Sequence, residues 1–92
     1  MPFVYMLRCR DDSLYTGVAL DVSRRLLEHQ AGRASRFTRA RLPVALVWTR
    51  RVRSWSAALR TEYRIKRLTR PAKLRLIETG RLPRTRHVRN PT

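Results

Sequence analysis

Short apolar runs near the start of the chain predict a β-hairpin. Residues 3–7 (Phe-Val-Tyr-Met-Leu) are rich in side chains that favour strands. Residues 11–13 (Asp-Asp-Ser) follow as a turn-forming cluster. Residues 13–18 then alternate between two faces, as the residues of a strand do. An antiparallel hairpin of these two segments places Tyr5 and Tyr15 on neighbouring strands.

The middle of the chain predicts a helix, a basic loop and a third strand. Asp21 is suited to cap a helix that runs to about Gln30, and Gly32 stands where a glycine commonly ends a helix. Residues 33–42, here called the basic loop, are rich in arginine and are expected to be exposed. Residues 44–52 are the third strand candidate.

Two further helices are predicted after that strand. Ser54 or Ser56 can cap a helix that runs to about Leu68, and Thr69 can cap another helix that ends before Gly80. The order β-β-α-β-α-α indicates an α+β fold, in which helices flank a three-stranded antiparallel sheet.

Composition limits the chain to one small domain with a strongly basic surface. Its 92 residues contain 22 Lys and Arg against 6 Asp and Glu, which gives a formal net charge of +16. Hydrophobic residues make up 42% of the chain, enough for a core, so a wholly disordered basic protein is excluded. We expect one domain over residues 1–80 and a flexible basic tail over residues 81–92. The charge indicates a polyanionic partner, and nucleic acid is the commonest one.

The remaining composition narrows the class of protein further. No apolar run approaches the ~20 residues of a membrane span, and Arg8 and Arg10 interrupt the first apolar segment before it can serve as a signal peptide. We therefore expect a cytoplasmic protein without a membrane partner. Cys9 is the single cysteine, which excludes an internal disulfide and a cysteine-based zinc site. Six acids are also too few for a two-metal site rich in carboxylates.

Two polar residues of the first predicted helix lie beside its apolar positions. At about 100° per residue, Arg25 and His29 fall on the same arc as Val22 and Leu26, whereas Glu28 falls on the solvent side. A guanidinium and an imidazole in that position either find partners at the edge of the core or line a cleft. The helical pattern alone favours the first interpretation.

Glu62 has a similarly unusual position in the second long helix. It projects into a broad apolar arc, and Lys66 lies one turn further on. An exposed i,i+4 Glu–Lys pair explains the pairing but not its position. The other acids have ordinary roles as turn, cap or surface residues, so Glu62 is the best candidate for a metal ligand. The arc is formed by Trp55, Ala58, Leu59, Ile65 and Leu68.

Together, these motifs resemble the GIY-YIG nuclease domain, and most closely its small stand-alone bacterial UPF0213 group. The resemblance covers residues 2–78, and it rests on the order and spacing of motifs that are individually loose. The matching segments are Phe3-Val4-Tyr5, Tyr15-Thr16-Gly17, Asp21 to His29, Phe37-Thr38-Arg39, Arg41 to Val44 and Ala58 to Lys66.

The resemblance implies the chemistry of a phosphodiester hydrolase that leaves a 5′-phosphate and a 3′-hydroxyl. Tyr5 and Tyr15 match the two motif tyrosines, which orient or activate the attacking water in that family. Arg25 matches an arginine that stabilises charge at the scissile phosphate, and His29 matches a histidine near the same phosphate. Glu62 matches the single carboxylate that holds one divalent cation, Mg²⁺ or Mn²⁺.

Physical chemistry adds one requirement to that site. A free tyrosine titrates near pH ~10, so a tyrosine that acts as a base needs a cationic neighbour. Arg25 and, in a supporting role, Lys66 are the candidates for that neighbour. A lone Glu62 suits Mg²⁺, which keeps several waters and completes its shell with substrate oxygens.

The chain also departs from the family pattern. Phe3 replaces the glycine of the first motif and Thr16 the isoleucine of the second, and neither change removes a catalytic group. Val18 stands where some larger relatives carry lysine, and Phe37 where close relatives often carry tyrosine. Larger members use a downstream asparagine, a role that we do not assign to Asn90 in the tail.

The sequence thus predicts a metal-dependent endonuclease that hydrolyses DNA phosphodiester bonds, with a role in DNA repair or recombination. RNA as the substrate, and the oligomeric state, stay open. The alternative is a non-catalytic nucleic-acid-binding protein with the same fold, which the composition taken alone favours. The residues expected to contact the nucleic-acid backbone are Arg33, Arg36, Arg39 and Arg41 of the basic loop, together with the tail.

Overall fold

A computed structural model describes residues 1–82, which form three strands and four helices. The elements are β1 (Phe3–Cys9), β2 (Leu14–Ala19), α1 (Val22–Gln30), α2 (Arg36–Arg39), β3 (Val44–Arg51), α3 (Trp55–Lys66) and α4 (Arg70–Thr79). The predicted α+β fold is confirmed, with α2 as an addition. No helix of this range is long and apolar enough to cross a membrane. Most of the predicted tail, residues 83–92, lies outside the described residues.

β1 is the central strand of one antiparallel sheet, in the order β2-β1-β3. The hairpin register sets Tyr5 opposite Gly17 and Leu7 opposite Tyr15. The two motif tyrosines therefore lie on neighbouring strands, as predicted, and two residues apart along the pair. That offset leaves room for their rings to point toward a common region of the sheet.

Successive residues of β1 feed two hydrophobic clusters, because side chains of a strand alternate between faces. One cluster joins the sheet to α3 and α4, and the other joins it to α1 and the segment before β3. The first contains Val4, Met6, Trp48, Ala58, Ile65 and Leu76. The second contains Tyr5, Leu7, Cys9, Ala19 and Val44, with Val22, Leu26 and Leu42 packed against them.

Side-chain caps begin the three longer helices where the sequence predicts them. Asp21, Ser54 and Thr69 each accept a hydrogen bond from the backbone N–H three residues on. Ser54 rather than Ser56 therefore caps α3, and that helix ends at Lys66, two residues before the predicted end. Gly80 follows α4 with φ of 75°, a left-handed conformation that favours glycine.

The basic loop is not wholly exposed and irregular, although the sequence predicts it to be. Residues 36–39 form the single turn of α2, and the Ser35 hydroxyl caps it by accepting from the Thr38 N–H at 3.3 Å. Thr38 is completely buried. The sequence gives little sign of this turn, because four residues dominated by arginine carry no apolar periodicity.

Candidate active site

The ring of Tyr5 lies across the neighbouring strand at Gly17. A Cβ placed on Gly17 would lie 2.6 Å from the Tyr5 hydroxyl oxygen and 2.7 Å from ring atom Cζ. Any side chain there would displace the phenol, so the glycine of the second motif is what allows Tyr5 to reach over β2. Tyr5 is only 2% exposed.

Three rings, each from a different element, surround that of Tyr15. Its centroid lies 5.1 Å from the ring of His29 and 6.4 Å from that of Tyr5. Phe37 of α2 stacks against Tyr15 at 6.1 Å with an interplanar angle of 26°. Phe37 has no hydroxyl, so it contacts Tyr15 through its ring alone.

A directed chain of hydrogen bonds runs through His29. The Thr38 hydroxyl lies 3.3 Å from the Ser35 carbonyl, to which it donates. With the Thr38 hydroxyl proton assigned to Ser35, the Thr38 oxygen accepts a hydrogen bond from His29 Nδ1 at 2.8 Å. His29 Nε2 is then unprotonated and accepts from the Tyr5 hydroxyl at 2.8 Å. This assignment of the protons makes the imidazole a hydrogen-bond acceptor toward Tyr5.

Burial sets the protonation of both partners. Burial, and then the positive charge of Arg25, lower the pKa of His29, so the ring is neutral near pH 7. Burial first, then Tyr15 and the carboxylates of Glu62 and Glu28, raise the pKa of Tyr5 well above its usual range. The charge of Arg25 acts in the opposite direction, as predicted for a tyrosine base, but burial outweighs it.

The charge of Arg25 acts on both Tyr5 and His29, and its side chain is paired with an acid. Its Nε is 3.5 Å from Glu28 Oε1, and Arg24 Nε is 3.7 Å from Glu28 Oε2. Glu28, Arg25 and Trp55 line one cavity of about 330 Å³. The Glu28 side chain is 36% exposed and lies beside these arginines, as the sequence predicts. Residues three or four positions apart are neighbours on a helix surface, so both arginines reach the same carboxylate.

Glu62 reaches the site from α3, which packs against β2. Its side chain is 21% exposed, and Oε2 lies 3.2 Å from Lys66 Nζ. Glu62 and Lys66 therefore form the ion pair that their i,i+4 spacing predicts. Residues 1–82 contain no group of three His, Cys, Asp or Glu side chains that could hold a metal ion together. One partly buried carboxylate still fits Mg²⁺, which is commonly held by one or two carboxylates and water.

The arginines of the basic loop divide into two groups. Arg33, Arg36 and Arg39 line a surface cavity of about 570 Å³. Arg41 instead pairs with Asp11 Oδ2 at 3.1 Å, and its guanidinium carbon lies 3.9 Å from the centroid of the Phe37 ring. Arg41 thus ties α2 to the β1–β2 turn, apart from the other three.

The structure brings five of the predicted site residues to one region of the molecule. Tyr5, Tyr15 and His29 are in contact, and the charges of Arg25 and Glu62 act on Tyr5. Sequence reasoning missed Thr38 as a partner of His29, since a lone threonine among arginines gives no chemical signal. It also missed Lys73, although the chain has only two lysines.

Comparison with known proteins identifies the class to which this fold and site belong. Residues 1–75 match the GIY-YIG catalytic domain. The chain therefore belongs to the GIY-YIG nuclease superfamily, and the resemblance found in the sequence is confirmed.

Within this superfamily, the chain is similar in sequence to UPF0213 proteins. A UPF0213 protein of Natronomonas pharaonis is 50% identical over 80 residues, which cover 85% of this chain and 94% of that one. A UPF0213 protein of Staphylococcus epidermidis is 45% identical over 78 residues, with coverage of 85% and 95%. The solution NMR structure of a UPF0213 protein of Bacillus halodurans has a TM-score of 0.57 and 41% identity, over 86% of this chain and 85% of that one.

Proposed function

We propose that this protein is a metal-dependent endonuclease that hydrolyses phosphodiester bonds of DNA in the cytoplasm, in DNA repair or recombination. The observation that carries the proposal is the hydrogen-bond chain from Tyr5 through His29 to Thr38, with Arg25 and Glu62 close to the same phenol. Binding nucleic acid requires positive charge, but it does not require a buried proton acceptor aimed at a tyrosine.

His29 is the general base in this mechanism, and Tyr5 relays the proton. The attacking water gives a proton to the Tyr5 hydroxyl oxygen while the phenol gives its own proton to His29 Nε2. Tyr5 therefore never has to exist as a free phenolate, which its raised pKa disfavours. Thr38 keeps Nε2 free to accept, because its oxygen is bonded to the proton on Nδ1.

Arg25 and Glu62 supply the charges that the phosphate needs. Arg25 exchanges Glu28 for an oxygen of the scissile phosphate and stabilises the charge that develops there. Glu62 would hold one Mg²⁺ or Mn²⁺, which when bound stabilises charge on the phosphate and the leaving oxygen. Lys66 must leave Glu62 for that cation to bind. Arg33, Arg36 and Arg39 contact the backbone away from the cut.

One pair of observations favours a non-catalytic nucleic-acid-binding protein as the second candidate. Arg25 is paired with Glu28 and Glu62 with Lys66, so the charged groups of the site satisfy each other. The net charge of +16 alone suits a binding protein. That candidate predicts nucleic-acid binding without turnover.

Cleavage assays on three DNA forms separate the two candidates. Plasmid, single-stranded and branched DNA are incubated with the protein in Mg²⁺, in Mn²⁺ or in EDTA, beside matched single-stranded RNA. We expect cleavage of at least one DNA form with a divalent cation, and none in EDTA. Tyr5→Phe should lower the rate at least about a hundredfold, as loss of a proton relay does.

Tyr63→Phe is the matched control for that assay. It removes the hydroxyl of an exposed tyrosine whose partner is Arg67, and it should leave the rate unchanged. Cleavage that persists in EDTA, or that Tyr5→Phe does not affect, contradicts the mechanism. DNA binding without cleavage of any form supports the second candidate instead, and cleavage confined to RNA overturns the choice of substrate.

A further inference from the structure

Both lysines of this arginine-rich chain line the same cavity. Of the 22 basic residues, Lys66 and Lys73 are the only lysines. They lie on different helices, α3 and α4, yet both face a cavity of about 230 Å³ beside the proposed site. The other residues that line it are Leu14, Tyr15, Thr16 and Phe37.

The lining of this cavity carries an excess of positive charge. None of its six lining residues is acidic. Lys66 is offset by Glu62, which lies outside the lining at 3.2 Å. No carboxylate of residues 1–82 lies within ion-pair distance of Lys73. A cation for Glu62 would release Lys66, and two uncompensated ammonium groups would then face one small space. Such a space favours an anion.

Tyr15 forms a shared wall between this cavity and the proposed site. Its ring lies 5.1 Å from that of His29 and also lines the cavity. An anion bound by the two lysines would therefore lie one side chain away from the reacting phosphate. In a polynucleotide, the anion at that separation is a neighbouring phosphate of the same strand.

We propose that this cavity, lined by Tyr15, Phe37, Lys66 and Lys73, binds the backbone phosphate next to the one that is cleaved. The inference rests on the proposed nuclease function and deepens it by adding a subsite for the substrate strand. A phosphate fits better than a base, because Tyr15 and the Arg41 guanidinium already lie against the Phe37 ring. Ammonium groups bind phosphate as compact point charges.

The subsite is coupled to the metal position through Lys66. While Lys66 pairs with Glu62, only Lys73 is available to a phosphate. A divalent cation on Glu62 frees Lys66 for the subsite, so metal and strand should each strengthen binding of the other. This coupling is a property of binding and does not depend on cleavage.

Selective labelling of lysine gives a direct test, since the chain yields only two lysine signals. The side-chain carbons beside Nζ are labelled with ¹³C and followed by NMR during titration with oligothymidylate in EDTA. We expect the Lys73 signal to shift in EDTA, and both signals to shift along one binding curve when the titration is repeated in Ca²⁺. Inorganic phosphate should shift them only at far higher concentration, because the rest of the strand adds contacts. A response to inorganic phosphate as tight as that to the strand overturns the assignment to a polynucleotide.

Lys73→Gln and Arg75→Gln form a matched pair for the same titration, because both remove one positive charge from α4. Lys73→Gln should weaken oligothymidylate binding about tenfold, the loss expected for one charged hydrogen bond. It should also reduce the slope of log affinity against log salt by about 0.7. Arg75→Gln, which lies outside the cavity, should change affinity much less. Equal effects of the two variants, or a Lys73 signal that the strand does not move, overturn the proposal.

A separate titration with Mg²⁺ alone distinguishes this proposal from the metal assignment. Release from Glu62 should shift the Lys66 signal and leave the Lys73 signal in place. If Mg²⁺ moves neither signal while the strand in EDTA moves the Lys73 signal, the subsite is supported and Glu62 as the metal ligand is contradicted. Positive coupling appears as tighter strand binding in Ca²⁺ or Mg²⁺ than in EDTA, and its absence contradicts the shared role of Lys66.

Discussion

At the residue scale, an uncharged side chain determines how the proposed base works. Thr38 is fully buried, donates to Ser35 and accepts from His29, and so leaves Nε2 of the imidazole facing Tyr5. The other tautomer would turn an N–H toward the phenol and could not accept its proton. The chemistry attributed to His29 therefore depends on a threonine that sequence patterns do not single out.

Replacing Thr38 tests this dependence. Thr38→Val keeps the shape and removes the acceptor, so the preferred tautomer is lost and cleavage should fall at least about tenfold. Thr38→Ser keeps the hydroxyl and should restore most of the rate. The ¹⁵N shifts of the imidazole report the tautomer directly, and a merely structural role for Thr38 would not change them. Val and Ser variants of equal activity would contradict the assignment.

The sequence alone predicts the positions of some site residues but not the contacts of others. Tyr5 and Tyr15 could be placed together because strand periodicity and a hairpin fix their register. The exposed position of Glu28 beside arginines also follows from helical periodicity. The hydrogen bonds at His29 could not be predicted, since they arise from contacts between distant segments.

At the scale of elements, local signals account for most of the fold. The caps at Asp21, Ser54 and Thr69 and the glycine after α4 mark helix ends that the structure confirms. α2 is different, because its single turn is stabilised by a Ser35 cap and by burial of Thr38 rather than by its own pattern. Isolated helices of this length are not stable in water, so tertiary contacts must maintain it.

The burial of His29 on α1 links folding to pH. Burial lowers the pKa of His29 in the folded state below its unfolded value of about 6.5, so the unfolded chain binds the proton more tightly. The neutral, buried His29 therefore makes its full contribution to the free energy of unfolding above about pH 6.5. That contribution is lost as the pH falls through that value toward the folded pKa. The free energy of unfolding in urea should decrease between pH 7.5 and pH 5.

His29→Gln provides the comparison for that measurement. Glutamine can keep polar contacts with Tyr5 and Thr38 but does not titrate. The variant should be less stable at pH 7.5 and should show a smaller decrease toward pH 5. The lowered pKa of Asp11 does not confuse this range, because an exposed aspartate titrates at lower pH. An unchanged pH dependence in the variant would show that His29 is not the titrating group.

At the scale of the whole molecule, the excess of positive charge sets the affinity for nucleic acid. A net charge of +16 on 92 residues leaves much more positive charge than internal ion pairs can offset. The logarithm of DNA affinity should fall linearly with the logarithm of salt concentration, by roughly 0.7–0.9 per phosphate contacted. Fluorescence anisotropy with a labelled oligonucleotide measures that slope. An affinity that does not respond to salt would contradict a backbone-binding surface.

Charge alone does not distinguish an enzyme from a binding protein, and the distinction depends on one carboxylate. Glu62, on a helix that packs against β2, is one of two acids whose charges act on Tyr5 of the proposed proton relay. The other acid that acts there, Glu28, is paired with two arginines. Removing Glu62 should therefore separate catalysis from binding.

Glu62→Ala is the most direct test of the central claim, with Glu78→Ala on the exposed surface of α4 as its control. Mg²⁺-dependent cleavage and DNA affinity in EDTA are measured on the same preparations of each variant. We predict that Glu62→Ala abolishes cleavage and leaves affinity nearly unchanged, while Glu78→Ala changes neither. Retained cleavage, or equal loss of cleavage and affinity in Glu62→Ala, would contradict Glu62 as the ligand of a catalytic metal.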